Sequence, residues 1–296
     1  MREYLHRFFE RFAYPHPARE ALLRAYDTVQ SDALAKAQWD SYLAAYHQST
    51  LCDFEAQARG CREMSERMPL SPFTLHLLLF LCHTQQLQEW YRQAGLDEQL
   101  WYDTVSDLKY KLLECHAVYG VWGATCTDWL FGFFTLERFA LGRLQFEWGQ
   151  LKYPYQGQGV SLAPGARVVQ VHIPRSGQPL SAALCDDAFA RAAAFFTPQL
   201  QKGEPFVFCC SSWLLYPPNQ QILPPASNIL AFMNRFDVFH TQTYDADHPD
   251  LWRLFDTMEK NPDRLAADSS VRRAYIAHLK SGGKTGRGYG VMVVDK

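Results

Sequence analysis

The chain has 296 residues, 48% hydrophobic and 15% aromatic, enough for two ordinary cores or one large one and no basis for disorder. Its 29 Lys and Arg against 31 Asp and Glu leave a formal charge of −2, so the basic excess that lets proteins bind nucleic acid by neutralising phosphates is missing. The longest apolar run, Leu77 to Cys82, is far shorter than the roughly 18 residues of a membrane span.

From Met1 to Arg7 there is no apolar stretch of the kind an export signal needs. The eight cysteines are scattered without a Cys-x-x-Cys pair. A cytoplasmic location with reduced, mostly buried thiols is therefore expected. The pairs Cys82-His83 and Cys115-His116 lack the spacing of a zinc site and read as structural, so no metal is expected.

Residues 1 to about 120 read as helices. Leu5, Phe8, Phe9 and Phe12 recur at helical spacing, as do Ala21, Leu22, Ala25, Tyr26 and Val29. Ser71-Pro72 is a helix start, with a capping serine and proline in the first turn. The segment behind it, Phe73 to about Tyr91, is apolar on most sides and reads as the central helix of a bundle. Gly95 ends it, and Asp97-Glu98 open a further helix that runs to about Tyr119.

Beyond residue 120 glycines multiply and the period changes from helical to alternating. Arg143, Gln145 and Glu147 alternate with Leu144, Phe146 and Trp148, the pattern of a strand with one polar face. Tyr153 to Gly159 has loop chemistry. Ala166 to Ile173 is a strand stopped by Pro174, and Asp186 to Phe196 is a helix. Pro205 to Leu215, almost continuously apolar, reads as a central strand buried on both faces. A short helix from Ile229 to Arg235 follows, then a strand from Asp237 to Tyr244, helices near 249–256 and 270–280, and a last strand from Tyr289 to Val294. Alternating strands and helices imply a crossover and a mixed sheet with helices on both faces. The expected architecture is an all-helical N-terminal domain over 1–120 followed by an α/β (α+β) domain over 121–296.

This order resembles the core of GNAT-type acyltransferases. The strings Leu141-Gly142-Arg143-Leu144-Gln145-Phe146-Glu147, Val171-His172-Ile173-Pro174, Cys210-Ser211-Ser212-Trp213-Leu214-Leu215 and Ser227-Asn228-Ile229 look like those of bacterial acyltransferase-domain proteins with a helical N-terminal domain and a GNAT-like C-terminal domain. The resemblance implies transfer of an acyl group from a thioester to an amine or similar nucleophile. It further implies acyl-CoA or an acyl-phosphopantetheine as co-substrate, no tightly bound cofactor, and a small-molecule acceptor. GNAT enzymes bind the CoA pyrophosphate through an Arg/Gln-x-x-Gly-x-Gly/Ala turn at a helix N-terminus. The matching stretch, Arg175-Ser176-Gly177-Gln178-Pro179-Leu180-Ser181, has one arginine and one glycine, then a proline that removes a donor. A carrier-bound donor, with an acyl carrier protein as partner, depends less on that cradle.

Under this reading the chemistry gathers where the strands ending at Ile173 and Leu215 splay apart. His172, at a strand's C-terminal end, is the candidate base, because an ordinary imidazole exchanges protons at neutral pH. Glu147 shares a face with Arg143 and Gln145 and is the candidate to orient the histidine or to act as base itself. Tyr216 is the candidate acid for the leaving thiolate. Arg143, Gln145, Arg175, Gly177, Ser211, Ser212, Trp213 and Asn228 are candidates for binding donor or acceptor. Two other readings compete: a non-catalytic ligand- or partner-binding protein on the same fold, and a thioester hydrolase acting through Cys210. Gly282-Gly283-Lys284-Thr285 has the end of a Walker A pattern but follows a helix and precedes a strand, the wrong order for a phosphate loop.

Overall fold

Caps and apolar stripes divide the first half of the chain into α1 (Arg2–Arg11), α2 (His16–Ser31), α3 (Ala33–Gln48), α4 (Phe54–Arg67), α5 (Pro72–Gln93), α6 (Glu98–Tyr119) and α7 (Thr127–Phe134). The computed structural model describes residues 1–245 and 248–294. Side-chain caps start α3, α4, α5 and α6 at Asp32, Asp53, Ser71 and Asp97, each satisfying a backbone N–H that the helix leaves open. Gly120 closes α6 in the left-handed conformation, φ 69°.

Every residue of α5 from Thr74 to Thr84 is buried, as expected for a helix without a polar face. Its two histidines are satisfied internally. Nε2 of His76 donates to the Ala58 carbonyl at 3.0 Å, and its Nδ1 lies 3.0 Å from the Thr127 hydroxyl. His83 bonds Gln57 Oε1 at 3.0 Å, and burial lowers its pKa to about 3. His116 stacks on Trp122 at 3.5 Å. Among the described residues no helix is long and apolar enough to cross a membrane.

The first compact unit ends at Phe139 and the second begins at Ala140, later than the 120/121 boundary read from the sequence. The reason is α7, which lies in the glycine-bearing stretch beyond residue 120 and is apolar on most sides. Its Phe134 packs 4.8 Å from Phe80, and the Tyr46 hydroxyl donates to the Phe134 carbonyl at 2.9 Å.

The second unit is built on a six-stranded sheet in the order β1-β2-β5-β6-β8-β7. The strands are β1 (Arg138–Leu141), β2 (Leu144–Gln150), β5 (Arg167–His172), β6 (Phe206–Ser212), β7 (Asp237–Tyr244) and β8 (Thr285–Val294), with β3 (Tyr155–Gly157) and β4 (Val160–Leu162) forming a separate hairpin. The hairpin replaces the expected loop. Its two-residue turn, Gln158-Gly159, has φ of 47° and 75°, the positive-φ pair that suits a tight antiparallel connection.

β5 and β6 pair in parallel and are joined through α8 (Ala182–Phe196), while β2–β5, β6–β8 and β7–β8 are antiparallel. On one face Phe189 of α8 packs against Phe146 and Phe208, 5.9 and 5.1 Å away. Beyond it α9 (Asn219–Ile222), α10 (Asn228–Met233), α11 (Leu251–Phe255) and α12 (Ser270–Lys280) close an apolar cluster that includes Met233, Phe255, Tyr275 and Leu279. On the opposite face the β3–β4 hairpin covers a cluster of Leu151, Tyr155, Val168, Val207, Cys209 and Val291.

Candidate active site

Pro174 cannot donate to a ladder, and β5 ends at His172 just before it. Its parallel pairing with β6 spans Val169↔Phe208 and Gln170↔Cys209. Both strands stay paired further along on their outer sides, β5 through Gln145↔His172 and β6 through Ser211↔Tyr289 and Ser212↔Gly288. The sheet therefore forks between Val171-His172 on one side and Cys210-Ser211-Ser212 on the other.

Side chains alternate, so Gln145, Glu147, Gln170 and His172 share one face with Cys209, Ser211 and Tyr289. On that face His172 Nε2 donates to Glu147 Oε1 at 2.7 Å. The pair is diagonal across β2 and β5, and the side chains are 23% and 18% exposed. A carboxylate only accepts, so the contact fixes the ring tautomer and places the second ring nitrogen, Nδ1, as the acceptor of the neutral imidazole. Ser211 stands one strand across the fork from His172, roughly 5 Å or more by ordinary strand spacing.

The other candidates are distributed around this pair. Arg143, buried on the hairpin that starts β2, donates from Nε to the carbonyls of Gln178 and Pro179 at 3.2 and 3.3 Å and from Nη1 to that of Pro174 at 2.9 Å. It pins the segment between β5 and α8. Arg175 binds both carboxylate oxygens of Asp256, which also accepts from Arg272 at 2.7 Å. Gly177 takes φ 79°, with nothing near the position a Cβ would fill. Ser181 caps α8, accepting from Leu184 N at 3.4 Å, so the helix begins earlier than Asp186 and points its N-terminus at this segment.

Ser212 accepts from Leu214 N at 3.2 Å and caps a 3₁₀ turn over Trp213–Leu215. Trp213 packs edge-on to Tyr275 at 5.8 Å. Asn228 is exposed at the first turn of α10, where Ser227 is the capping residue. Tyr216 is 4% exposed, and its hydroxyl lies 3.3 Å from that of Thr243 on the edge strand β7. The structure does not bring it to His172 and Glu147. Tyr216→Phe should cost about 1 kcal/mol of stability, the worth of one hydrogen bond, and leave turnover within about twofold; steady-state kinetics and thermal melts check both.

The cysteines at the fork are shielded. Burial pushes the Cys209 thiol up to about 12 and that of Cys210 well above its ordinary value, which removes the thiolate a covalent route requires. Lys284 pairs with Asp245 and Arg287 with Asp250.

Strand β8 carries a glycine signal at its start. Gly286, Gly288 and Gly290 occupy alternate positions of β8, whose start was expected only at Tyr289. A Cβ at Gly288 would lie 2.0 Å from the Leu215 carbonyl oxygen, and one at Gly286 2.5 Å from the Tyr216 ring. The bare strip lets the 213–216 turn lie flat on the sheet, and so sets how β6 ends at the fork. Glycine at every second position of a strand is the mark of such close backbone approach.

Residues 139–292 match the family model for the GNAT-like C-terminal domain, and residues 3–136 that for the N-acyltransferase N-terminal domain. No curated protein matches the chain. Among solved structures, an acyltransferase in complex with decanoyl-CoA is similar at a TM-score of 0.77 and 19% identity, over 98% of this chain and 87% of that one. One holding decanoyl-CoA and teicoplanin gives 0.73 at 21%, over 98% and 87%. An acyltransferase mutant with octanoyl-CoA gives 0.74 at 21%, over 99% and 88%. At these identities the likeness is one of fold. With the GNAT-like match alone spanning over half of its length, the chain belongs to the family that joins an N-acyltransferase N-terminal domain to a GNAT-like C-terminal domain.

Proposed function

We propose that the chain moves an acyl group from a CoA thioester directly onto an amine, with His172 as general base and Glu147 as its positioning carboxylate. The observation that carries this reading is the His172–Glu147 bond at the lip of the fork between β5 and β6. The thioester lies in the fork, where the Ser211 hydroxyl can donate to its carbonyl oxygen as negative charge develops there. The amine nitrogen attacks the carbonyl carbon and passes its proton to His172 Nδ1. The tetrahedral intermediate collapses by breaking the C–S bond, CoA leaves as the thiolate, and the amide remains. Glu147 stabilises the imidazolium that forms.

The pyrophosphate is assigned to the N-terminus of α8, where the first-turn N–H groups and the helix dipole favour an anion. Arg143 holds the preceding segment by its carbonyls. The acyl-CoA complexes of similar fold support this donor, and the complexes that also hold teicoplanin support a small-molecule acceptor. The pairing of Arg175 with Asp256 favours a second donor, a phosphopantetheine thioester on an acyl carrier protein, which needs no pyrophosphate cradle. A CoA or carrier donor fits a cytoplasmic setting.

Incubation with an acyl-CoA series and simple amines tests the reading. Thiol release that requires the amine is expected, together with a stabilisation of about 2.7 kcal/mol at a hundredfold excess of ligand over Kd. Neither stabilisation nor thioester consumption, with CoA and carrier donors alike, would establish a non-catalytic binding protein. Thiol release without an amine would establish a hydrolase.

A further inference from the structure

After β2 the chain does not turn away from the sheet. Leu151 to Tyr155 crosses the His172 face toward β7, where Tyr153 stacks on His240 at 3.7 Å and the Tyr155 hydroxyl donates to Asp237 at 2.9 Å. Between this crossing and the strands beneath lies a cavity of about 290 Å³. Leu151, Cys209 and Phe239 give it apolar walls, the first two being buried members of the cluster under the β3–β4 hairpin. Gln170 and Ser211 also line it: Gln170 pairs with Cys209 at the last step of the parallel ladder, and Ser211 stands just beyond it at the fork. The cavity is thus continuous with the slot assigned to the thioester and runs inward along β6 from Ser211 to Cys209.

From this continuity we infer that the cavity takes the acyl tail of the donor, and that Cys209 and Phe239 limit the chain length accepted. The inference rests on the proposed acyl transfer. The walls suit an aliphatic chain because no charged side chain lies at the Cys209 end; the one ammonium among the lining residues, Lys152, is held 5.4 Å from the Tyr153 ring at the crossing segment. The volume sits at the small end of the range for ligand pockets, about 300–1,000 Å³, which suits a short or medium chain. Each methylene entering it should tighten binding by about fourfold, the equivalent of about 0.8 kcal/mol, until the cavity is full.

The test is the dissociation constant of acyl-CoAs from acetyl to palmitoyl, measured by calorimetry on the full chain, so that the readout does not depend on turnover. Affinity should rise with chain length and then level off. Cys209→Leu, which lengthens a wall side chain into the cavity, should lower the octanoyl-to-acetyl affinity ratio at least tenfold. Phe239→Ala, on an edge strand where folding is less at risk, should move the plateau to longer chains; melting curves confirm that each variant is folded. If wild type binds acyl-CoAs with no dependence on chain length, or if folded variants of both kinds leave the length profile unchanged, the tail assignment fails while acyl transfer stands. If no acyl-CoA binds at all, the CoA-donor reading fails and the tail assignment with it.

Discussion

Exchanging His172 for alanine should lower the rate of acyl transfer by about 10²- to 10⁴-fold, the usual contribution of a positioned base, while acyl-CoA still binds. The argument starts from β5. Pro174 stops the strand, so the imidazole stands at the point where the parallel ladder has already opened toward β6 but the antiparallel ladder to β2 still holds it at Gln145. The ring is thereby fixed by backbone pairing on one side and by Glu147 at 2.7 Å on the other. Glu147→Gln tests the carboxylate separately. An amide can still accept the Nε2–H bond, so ring placement survives, but the charge that stabilises imidazolium is lost; kcat should fall by about ten- to a hundredfold with KM for the donor nearly unchanged. Loss of the acidic limb of the kcat/KM profile in the alanine variant is the signature that a purely structural histidine would not give. Turnover of the alanine variant within twofold of wild type would remove His172 from the mechanism.

The sequence carried the order of elements because the elements announce themselves locally. Ser71-Pro72 caps α5, Gly120 closes α6, and β7 and α12 lie where their patterns placed them. The His172–Glu147 pair was legible for a related reason: alternation put Glu147 on a polar face, and a proline fixed where the next strand ended. Features that depend on distant partners were not legible. α7 was hidden because its apolar side chains surround the helix and include Gly132, which sits against the side chain of Arg138. Arg143 looked like a ligand residue, yet it donates to carbonyls more than thirty positions away, and nothing in a sequence marks a carbonyl as an acceptor. Tyr216 follows the fork strand closely, but the turn capped by Ser212 carries it against the glycines of β8 and across to Thr243.

Those glycines lead to the largest expected effect on stability, that of Gly288→Ala. The backbone at Gly288 lies outside the left-handed region, so alanine is not penalised there by its φ. The conflict is one of space: the new Cβ would stand 2.0 Å from the Leu215 carbonyl oxygen and 2.7 Å from its carbon. Both are backbone atoms, and no rotamer change relieves the contact. Either β8 bows away from β6 at Ser212↔Gly288 or the 213–216 turn lifts off the sheet. A cost of about 3 kcal/mol or more is expected, a fall in Tm of about 6–12 °C for a unit of this size. Gly282→Ala is the matched comparison, because its φ is 80° and nothing lies within 4 Å of the added carbon; only the left-handed conformation is penalised, by about 1 kcal/mol. The two variants should also differ in activity. Displacing the 213–216 turn moves the end of β6, one wall of the fork, so Gly288→Ala should lose turnover at temperatures where it remains folded, whereas Gly282→Ala should not. A Gly288→Ala protein that melts and turns over like wild type would mean that the packing of this turn on β8 does not set the width of the fork.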